Sequence, residues 1–496
     1  MKKLICTAII LAAFTQFKAH AFCGFYVAKA DAKLFNKSSQ VILVRNGNET
    51  TLTMANDFSG PVKDFAMVIP VPVVLKESDI KIAERVLFDQ LDAYSGPRLV
   101  EYYDAAPCYK PVVYNYSSDS GVPTTSTKSA EAKDDIAYDK KTTVTIEAKY
   151  TVGEYDILIL SAKESDGLKT WLTQNGYKIP ESASDVLAPY IKNNLKFFVV
   201  KVNVAKQEST GYKELRPLQI KYESPKFMLP IRLGMANSTG SQDLIVYAFS
   251  KTGRVECTNY RTVKIPTDRN VPLAVKQKFG EFYKSLYKKA YKNEGRNCVF
   301  LEYAWNVTPS FNGVKCDPCV GPPPIVADLT NAGVNWISAN AWGGNVFFTR
   351  MHVRYSRDKF PQDLLFQETP NMENFQGRYI LTNPATGDLS CTEGQTYLVN
   401  LYYKRKREVE ELAALTGWST ATYEKYITEF NGMIHDKSFE KNHVNPFLPG
   451  GNYPGDDNFT PQNDTSKKIY FTLTLFLVII LSLVVLQDRK SATKKV

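Results

Sequence analysis

The chain has 496 residues, 44% of them hydrophobic and 12% aromatic. That composition is globular and excludes a disordered stalk, and the length exceeds what a single core usually organises. The formal charge of +10 sits largely at the ends, with +3 on residues 1–21, +3 on residues 488–496 and only +4 between them. So small a residual charge gives no support for a nucleic-acid partner.

Lys2 and Lys3 precede an apolar run over 4–14, and Ala19-His20-Ala21 follows, the pattern of a secretory signal peptide covering 1–21. Residues 22–205 are expected to form an N-terminal α+β domain. Its first strands are 41–44 and 50–54, joined at Asn46-Gly47, and 65–69 supplies the third strand of a meander. Apolar residues at 80, 82, 83, 86, 87 and 91 predict a helix over 80–94, closed by Ser95-Gly96-Pro97. Residues 117–141 are polar and read as a mobile loop. Strands at 144–146 and 155–160, helices at 166–174 and 183–193 and a strand at 197–204 then make a unit of the α+β class.

Residues 206–394 read as a β-rich second domain with strands at 218–222, 227–233, 244–249 and 255–263, the last two joined through Thr252-Gly253. A basic amphipathic helix over 273–291 and strands at 298–305 and 347–355 follow. The last of these places Arg350, His352 and Arg354 on one face and Met351, Val353 and Tyr355 on the other. Helices at 395–415 and 420–434 predict a helical hairpin within 395–444, and 445–468 is a Pro/Gly/Asn/Asp-rich linker. Residues 469–486 are 18 uncharged residues, enough to cross a hydrocarbon core of ~30 Å. Arg489, Lys490, Lys494 and Lys495 mark 487–496 as a cytoplasmic tail. The expected fold is a β-sandwich-rich, multi-domain α+β ectodomain with helical insertions, a C-terminal helical hairpin and one transmembrane helix.

Beyond Cys6 in the signal peptide, seven cysteines remain: Cys23, Cys108, Cys257, Cys298, Cys316, Cys319 and Cys391. In an exported chain these are disulfide candidates, the odd count leaves one unpaired, and the pairing is not legible. Cys316-x-x-Cys319 is the sharpest motif. A redox pair sits at a helix N-terminus that lowers the first thiol's pKa, and prolines 322–324 do lead into an apolar stretch over 325–329. No redox βαβ pattern precedes it, so the preferred reading is a structural staple, with a thiol–disulfide enzyme as the alternative. Three histidines survive processing, His352, His435 and His443, and none lies in HExxH or beside a nucleophile. GxSxG, GxGxxG, Walker A and a second zinc-ligand pair are all missing from the sequence, so no catalytic residue, metal or cofactor is assigned. Lys404-Arg405-Lys406-Arg407 has Glu408, Glu410 and Glu411 at i,i+4 and reads as a solvated, self-paired face, with anionic lipid head groups as the alternative partner.

Several motifs occur together in a recognisable order. They include Asp64-Phe65-Ala66 before Pro70-Val71-Pro72, Asp92-Ala93-Tyr94-Ser95, Pro97-Arg98-Leu99-Val100-Glu101-Tyr102-Tyr103, and Val152-Gly153-Glu154-Tyr155-Asp156. Later come Asn175-Gly176-Tyr177, Thr258-Asn259-Tyr260-Arg261, Glu302-Tyr303-Ala304-Trp305, Cys316-Asp317-Pro318-Cys319, Phe366-Gln367-Glu368-Thr369 and Asn374-Phe375-Gln376-Gly377-Arg378-Tyr379. In these the chain resembles the uncharacterised bacterial secreted family of domain of unknown function 2330 (DUF2330) over most of residues 22–430. The resemblance implies secretion and carries no activity or catalytic residues. The reading that results is an exported, single-pass envelope protein, ectodomain outside and C-terminus in the cytoplasm, acting as a non-enzymatic binding or structural module. Its partners would be the membrane and an envelope protein or polymer, and the alternatives are the thiol–disulfide enzyme or a hydrolase with an unrecognised acid pair.

Overall fold

The computed structural model describes residues 25–28, 35–36, 39–55, 58–59, 65–108, 144–175, 183–210, 215–237, 240–309, 316, 318–319, 321–337 and 344–434. The expected signal peptide, the loop 117–141, the linker, the membrane span and the tail lie outside these residues, as do Cys23, His435 and His443.

Gly47, at φ +61°, turns β3 (Ser39–Asn46) back onto β4 (Glu49–Ala55), the hairpin that Asn46-Gly47 predicts. The hairpin lies within a sheet of nine strands among the described residues. Its spatial order is β16 (Arg261–Lys264), β18 (Cys298–Asn306), β19 (Phe347–Tyr355), β14 (Gln242–Ser250), β3, β4, β12 (Leu218–Glu223) and β7 (Ile80–Ile82), with β21 (Phe375–Gln376) beside β18. Because β3 pairs in parallel with β14, the domain boundary expected at 205/206 falls inside one sheet. The described residues, all of which lie up to Ile434, accordingly form one compact unit.

A second, antiparallel sheet has the order β1 (Phe25–Ala28), β6 (Phe65–Val71), β11 (Lys196–Val202), β10 (Tyr155–Ala162) and β9 (Val144–Val152). Three small assemblies complete the strands: β13 (Met228–Leu229) with β20 (Leu364–Glu368) and β15 (Val255–Cys257); β17 (Arg269–Asn270) with β22 (Arg378–Asn383) and β8 (Arg98–Tyr103); and β2 (Phe35–Asn36) with β5 (Phe58–Ser59).

Side-chain alternation along the strands fixes the layers. Val41, Leu43, Leu52, Met54, Leu244, Val246, Met351 and Val353 of the large sheet share one core with Met67, Ile69, Ile157, Ile159, Phe198 and Val200 of the second sheet. Each such side chain contributes about 1.5–3 kcal/mol by leaving water. The second sheet's other face, with Val68, Leu160, Phe197 and Val199, is covered by α2 (Ser165–Gln174) and α3 (Ala183–Lys192). On the large sheet's other face, Ile42, Val44, Tyr247, Phe249 and Phe348 pack against α1 (Arg85–Ser95) and α6 (Val326–Ala332). Gly333 ends α6 at φ +108°, and an added Cβ would lie 2.6 Å from Thr51, so only glycine brings this helix so close to β4. Next to α1, α5 (Phe279–Asn293) covers the face carrying His352. With α4 (Val204–Thr210), α7 (Thr392–Thr416) and α8 (Glu424–Thr428) the described residues hold eight α-helices, and the class is mixed α+β. None of them is long and apolar enough to cross a membrane.

Several local expectations change. Residues 65–71 do not continue the meander but join the second sheet between β1 and β11, where Met67, Val68 and Ile69 are buried on both faces. The helix expected over 80–94 begins only at Arg85, because Ile80-Lys81-Ile82 alternates and pairs with Ile220, Gln219 and Leu218. The strand expected over 227–233 shrinks to Met228–Leu229 next to Pro230, and 255–263 splits into β15 and β16. The segment 273–278 is 3₁₀ before α5. The expected second helix over 420–434 is broken into 3₁₀, α and 3₁₀ turns.

Candidate functional site

The densest polar cluster lies between the large sheet and helices α1 and α5. Cross-strand pairing sets Arg354 opposite Asp243 and Arg350 opposite Tyr247, while a bulge between Leu301 and Tyr303 inserts Glu302 on the same face. Glu302 Oε2 accepts from Arg350 Nε at 2.7 Å, and Oε1 meets His352 Nδ1 at 2.9 Å and accepts from the Tyr283 hydroxyl. His352 Nε2 lies 3.3 Å from Asp243 Oδ1, and Asp243 takes the Arg354 guanidinium bidentately at 2.7 and 2.9 Å. At the other end Arg350 Nη1 donates to Asp92 Oδ1 at 2.7 Å, and Tyr247 Oη donates to the same oxygen at 2.9 Å. The row Asp92–Arg350–Glu302–His352–Asp243–Arg354 therefore alternates in charge from end to end.

Burial would raise the Glu302 carboxyl, but the charges of His352 and Arg350, with the hydrogen bonds from His352 and Tyr283, hold it at about 2. Burial would likewise strip the proton from His352, yet Glu302 and Asp243 outweigh it and raise the imidazole above its ordinary value. With a carboxylate on each ring nitrogen and Tyr287 stacked on its face at 3.9 Å, His352 is clamped on both sides in a setting that favours its charged form. Glu302 is fully buried and faces protein donors on every side. The arrangement can hold strands and helices in register. It presents no unshared acid or base to a substrate.

Sequence reasoning placed Arg350, His352 and Arg354 on one face but missed the three carboxylates that meet them, Asp92, Glu302 and Asp243. The signal was present in Glu302, a single acid within the buried apolar run of β18, since such a charge demands a buried partner.

Other family-like motifs turn out to be interlocks as well. Glu154, 1% exposed, receives the Arg216 backbone N–H, Nε and Nη2, the last at 2.6 Å, and the Tyr155 hydroxyl donates to the Arg216 carbonyl. Asn259 and Tyr260 bind the backbone of 362–365. Gly377 donates to the Glu302 carbonyl, Arg378 pairs with Asp268, and the Tyr379 hydroxyl donates to the Pro266 carbonyl. Arg98 donates to the carbonyls of Tyr94 and Pro318, joining three of the motifs in one place. A cleft lined by Pro70, Tyr190, Tyr222, Met228, Arg232 and Asp363 follows the same rule. Its acid, Asp363, is already bonded to the Tyr190 hydroxyl at 2.6 Å, the backbone of Ile231 and Arg232, and the Arg232 guanidinium.

Of the cysteine candidates, Cys108 is bonded to Cys391 across 283 residues, and Cys316 to Cys319. Cys257 and Cys298, expected as disulfide candidates, are instead free thiols. They sit buried on β15 and β18, strands of different sheets, and act as small apolar residues. Burial pushes the Cys298 thiol up to about 11 and raises Cys257 as well, which makes both poor nucleophiles. Cys316 is buried, and the next described helix along the chain, α6, starts only at Val326, so the pair does not open a described helix. The basic cluster is divided rather than self-paired. Lys404 bridges to Asp104 and Arg405 is buried against Glu429, while Glu408 accepts from Tyr426 and Glu411 from Arg269. Only Lys406 and Arg407 of the four stand exposed. Among the described residues no group of three His, Cys, Asp or Glu side chains is arranged to hold a metal ion.

No curated protein and no solved structure matches the chain. The model of the family described as uncharacterized protein conserved in bacteria (DUF2330) matches residues 17–367, well over half of the sequence, and the chain belongs to that family.

Proposed function

We propose that this chain is an exported envelope protein, held by a C-terminal span, whose ectodomain binds or organises other envelope components without catalysing a reaction. One observation carries the reading: the buried acids and bases that chemistry would require are engaged with one another. Glu302 has three protein partners, His352 two carboxylates and Asp363 a tyrosine, an arginine and two backbone donors. The Cys108–Cys391 and Cys316–Cys319 bonds support folding in an oxidising compartment. Buried, unactivated thiols at Cys257 and Cys298 and a CxxC pair that does not open a described helix weigh against the thiol–disulfide alternative.

Two measurements test it in intact cells. A reporter fused after Val496 is expected to be active only in the cytoplasm, while an impermeant maleimide, after reduction, labels Cys108 and Cys391 from outside. Crosslinking should then capture an envelope component in a manner that depends on residues 22–434. Export of the C-terminal reporter, or turnover of a small substrate by the purified chain, would replace this reading with another.

A further inference from the structure

Around α5 the cations divide into two kinds. On the approach to the helix and at its end they are matched: Arg261 with Glu294 at 2.9 Å, Lys264 with Glu373 at 2.6 Å, Arg269 with Glu411 at 3.5 Å and Lys276 with Glu101 at 2.7 Å. Lys278 at the helix N-cap and Lys284, Lys288 and Lys292 along the helix are all exposed, and none has an acidic partner among the described residues. Lys284, Lys288 and Lys292 repeat every four residues, so their charges form a row with a step of about 6 Å along the axis. Glu281 is the helix's one acid. The opposite face is fixed in the core by Phe282, Leu286 and Tyr287, and Lys289 and Ser285 tie one flank to α7 and Trp418. The row is therefore rigidly presented.

We propose that this lysine row docks the folded unit on an anionic phospholipid surface. The inference rests on the membrane-anchored reading above: 34 residues separate Ile434 from the expected span at 469–486, a reach of at most about 120 Å. A bilayer thus stays within reach of the unit, and unmatched lysines are what an anionic bilayer surface attracts, each strengthening association about fivefold. Because the exposed side of α5 carries lysines and no aromatic anchor, the contact is electrostatic and salt-sensitive and does not insert into the bilayer.

The full-length chain, reconstituted into vesicles of phosphatidylcholine alone or of equal parts phosphatidylcholine and phosphatidylglycerol, provides the test by lysine acylation and mass spectrometry. Lys284, Lys288 and Lys292 should react several-fold more slowly on the anionic vesicles at low salt and recover at high salt, while the exposed Lys81 and Lys149 stay unchanged. Equal rates on the two vesicles would overturn the proposal. So would protection by soluble polyphosphate without protection by vesicles, since that identifies an anionic polymer as the partner. Flotation with the phosphatidylcholine vesicles at high salt reports the anchor separately. If the chain fails to float, the anchoring reading falls, and acylation with anionic vesicles added from outside still decides the lysine row.

Discussion

Glu302 illustrates how a single acid inside an apolar strand organises what surrounds it. Removing a carboxylate from water costs several kcal/mol, and only close, hydrogen-bonded opposite charges offset that cost. Arg350 and His352 supply the charges and Tyr283 a further hydrogen bond. The pH dependence follows from the two shifts. Glu302 is lowered from 4.5 to about 2, so its contribution is present above pH 4.5 and is lost as pH falls toward 2. His352 is raised, so its contribution is complete below 6.5 and is lost as pH rises through its elevated value. In a Glu408→Gln background, which removes the other buried acid that titrates in this range, urea denaturation across pH should therefore show a plateau between about pH 4.5 and 6.5 with a decline on each side. A His352→Asn variant should lose the alkaline decline that belongs to this residue. A profile identical to the wild type would mean that the imidazole carries no folded-state charge.

Among the elements, those marked by local chemistry were legible. Asn46-Gly47 fixed one hairpin, and the apolar stripe of α2 and the alternation of β19 gave the right element at nearly the right bounds. The misreadings came where two periods compete over a few residues. Ile80-Lys81-Ile82 fits either a helical stripe or a strand, and pairing with β12 decides it. The basic cluster on α7 was misjudged because i,i+4 spacing describes a helix alone in water, whereas α7 is packed on both sides. Glu408 reports that packing. Burial pushes its carboxyl up to about 7 against the hydrogen bond from Tyr426 and the charges of Lys404 and Arg405, with Asp104 adding to the rise. A raised acid binds more protons when folded, so docking of the α8 segment on α7 should weaken as pH rises from 4.5 through about 7. The loss is on the order of 1–3 kcal/mol. Thermal melts of Glu408→Gln should be flatter than the wild type over that interval, and an unchanged slope would show that Glu408 is ionised throughout.

The whole molecule was the least legible level. Nothing local shows that β3, near the N-terminus, pairs in parallel with β14 some 200 residues later, or that Cys108 reaches Cys391. Such pairings depend on the global arrangement of layers, which a linear pattern of apolar residues leaves open. The same holds for the polar cluster, whose six members come from α1, β14, β18 and β19 and look unrelated along the chain. Their convergence resembles an active site in composition and a scaffold in connectivity, and the two differ in one measurable respect. Groups held for catalysis are commonly maintained at the expense of stability, so removing them leaves the fold as stable or more so. Breaking a buried ion network instead costs about 3–5 kcal/mol by stranding its charges. The unfolding free energy of Glu302→Gln at pH 6 therefore tests the central claim most directly. A loss of about 3–5 kcal/mol relative to the wild type is the predicted result, and wild-type or greater stability would contradict the scaffold reading and point to a catalytic carboxylate.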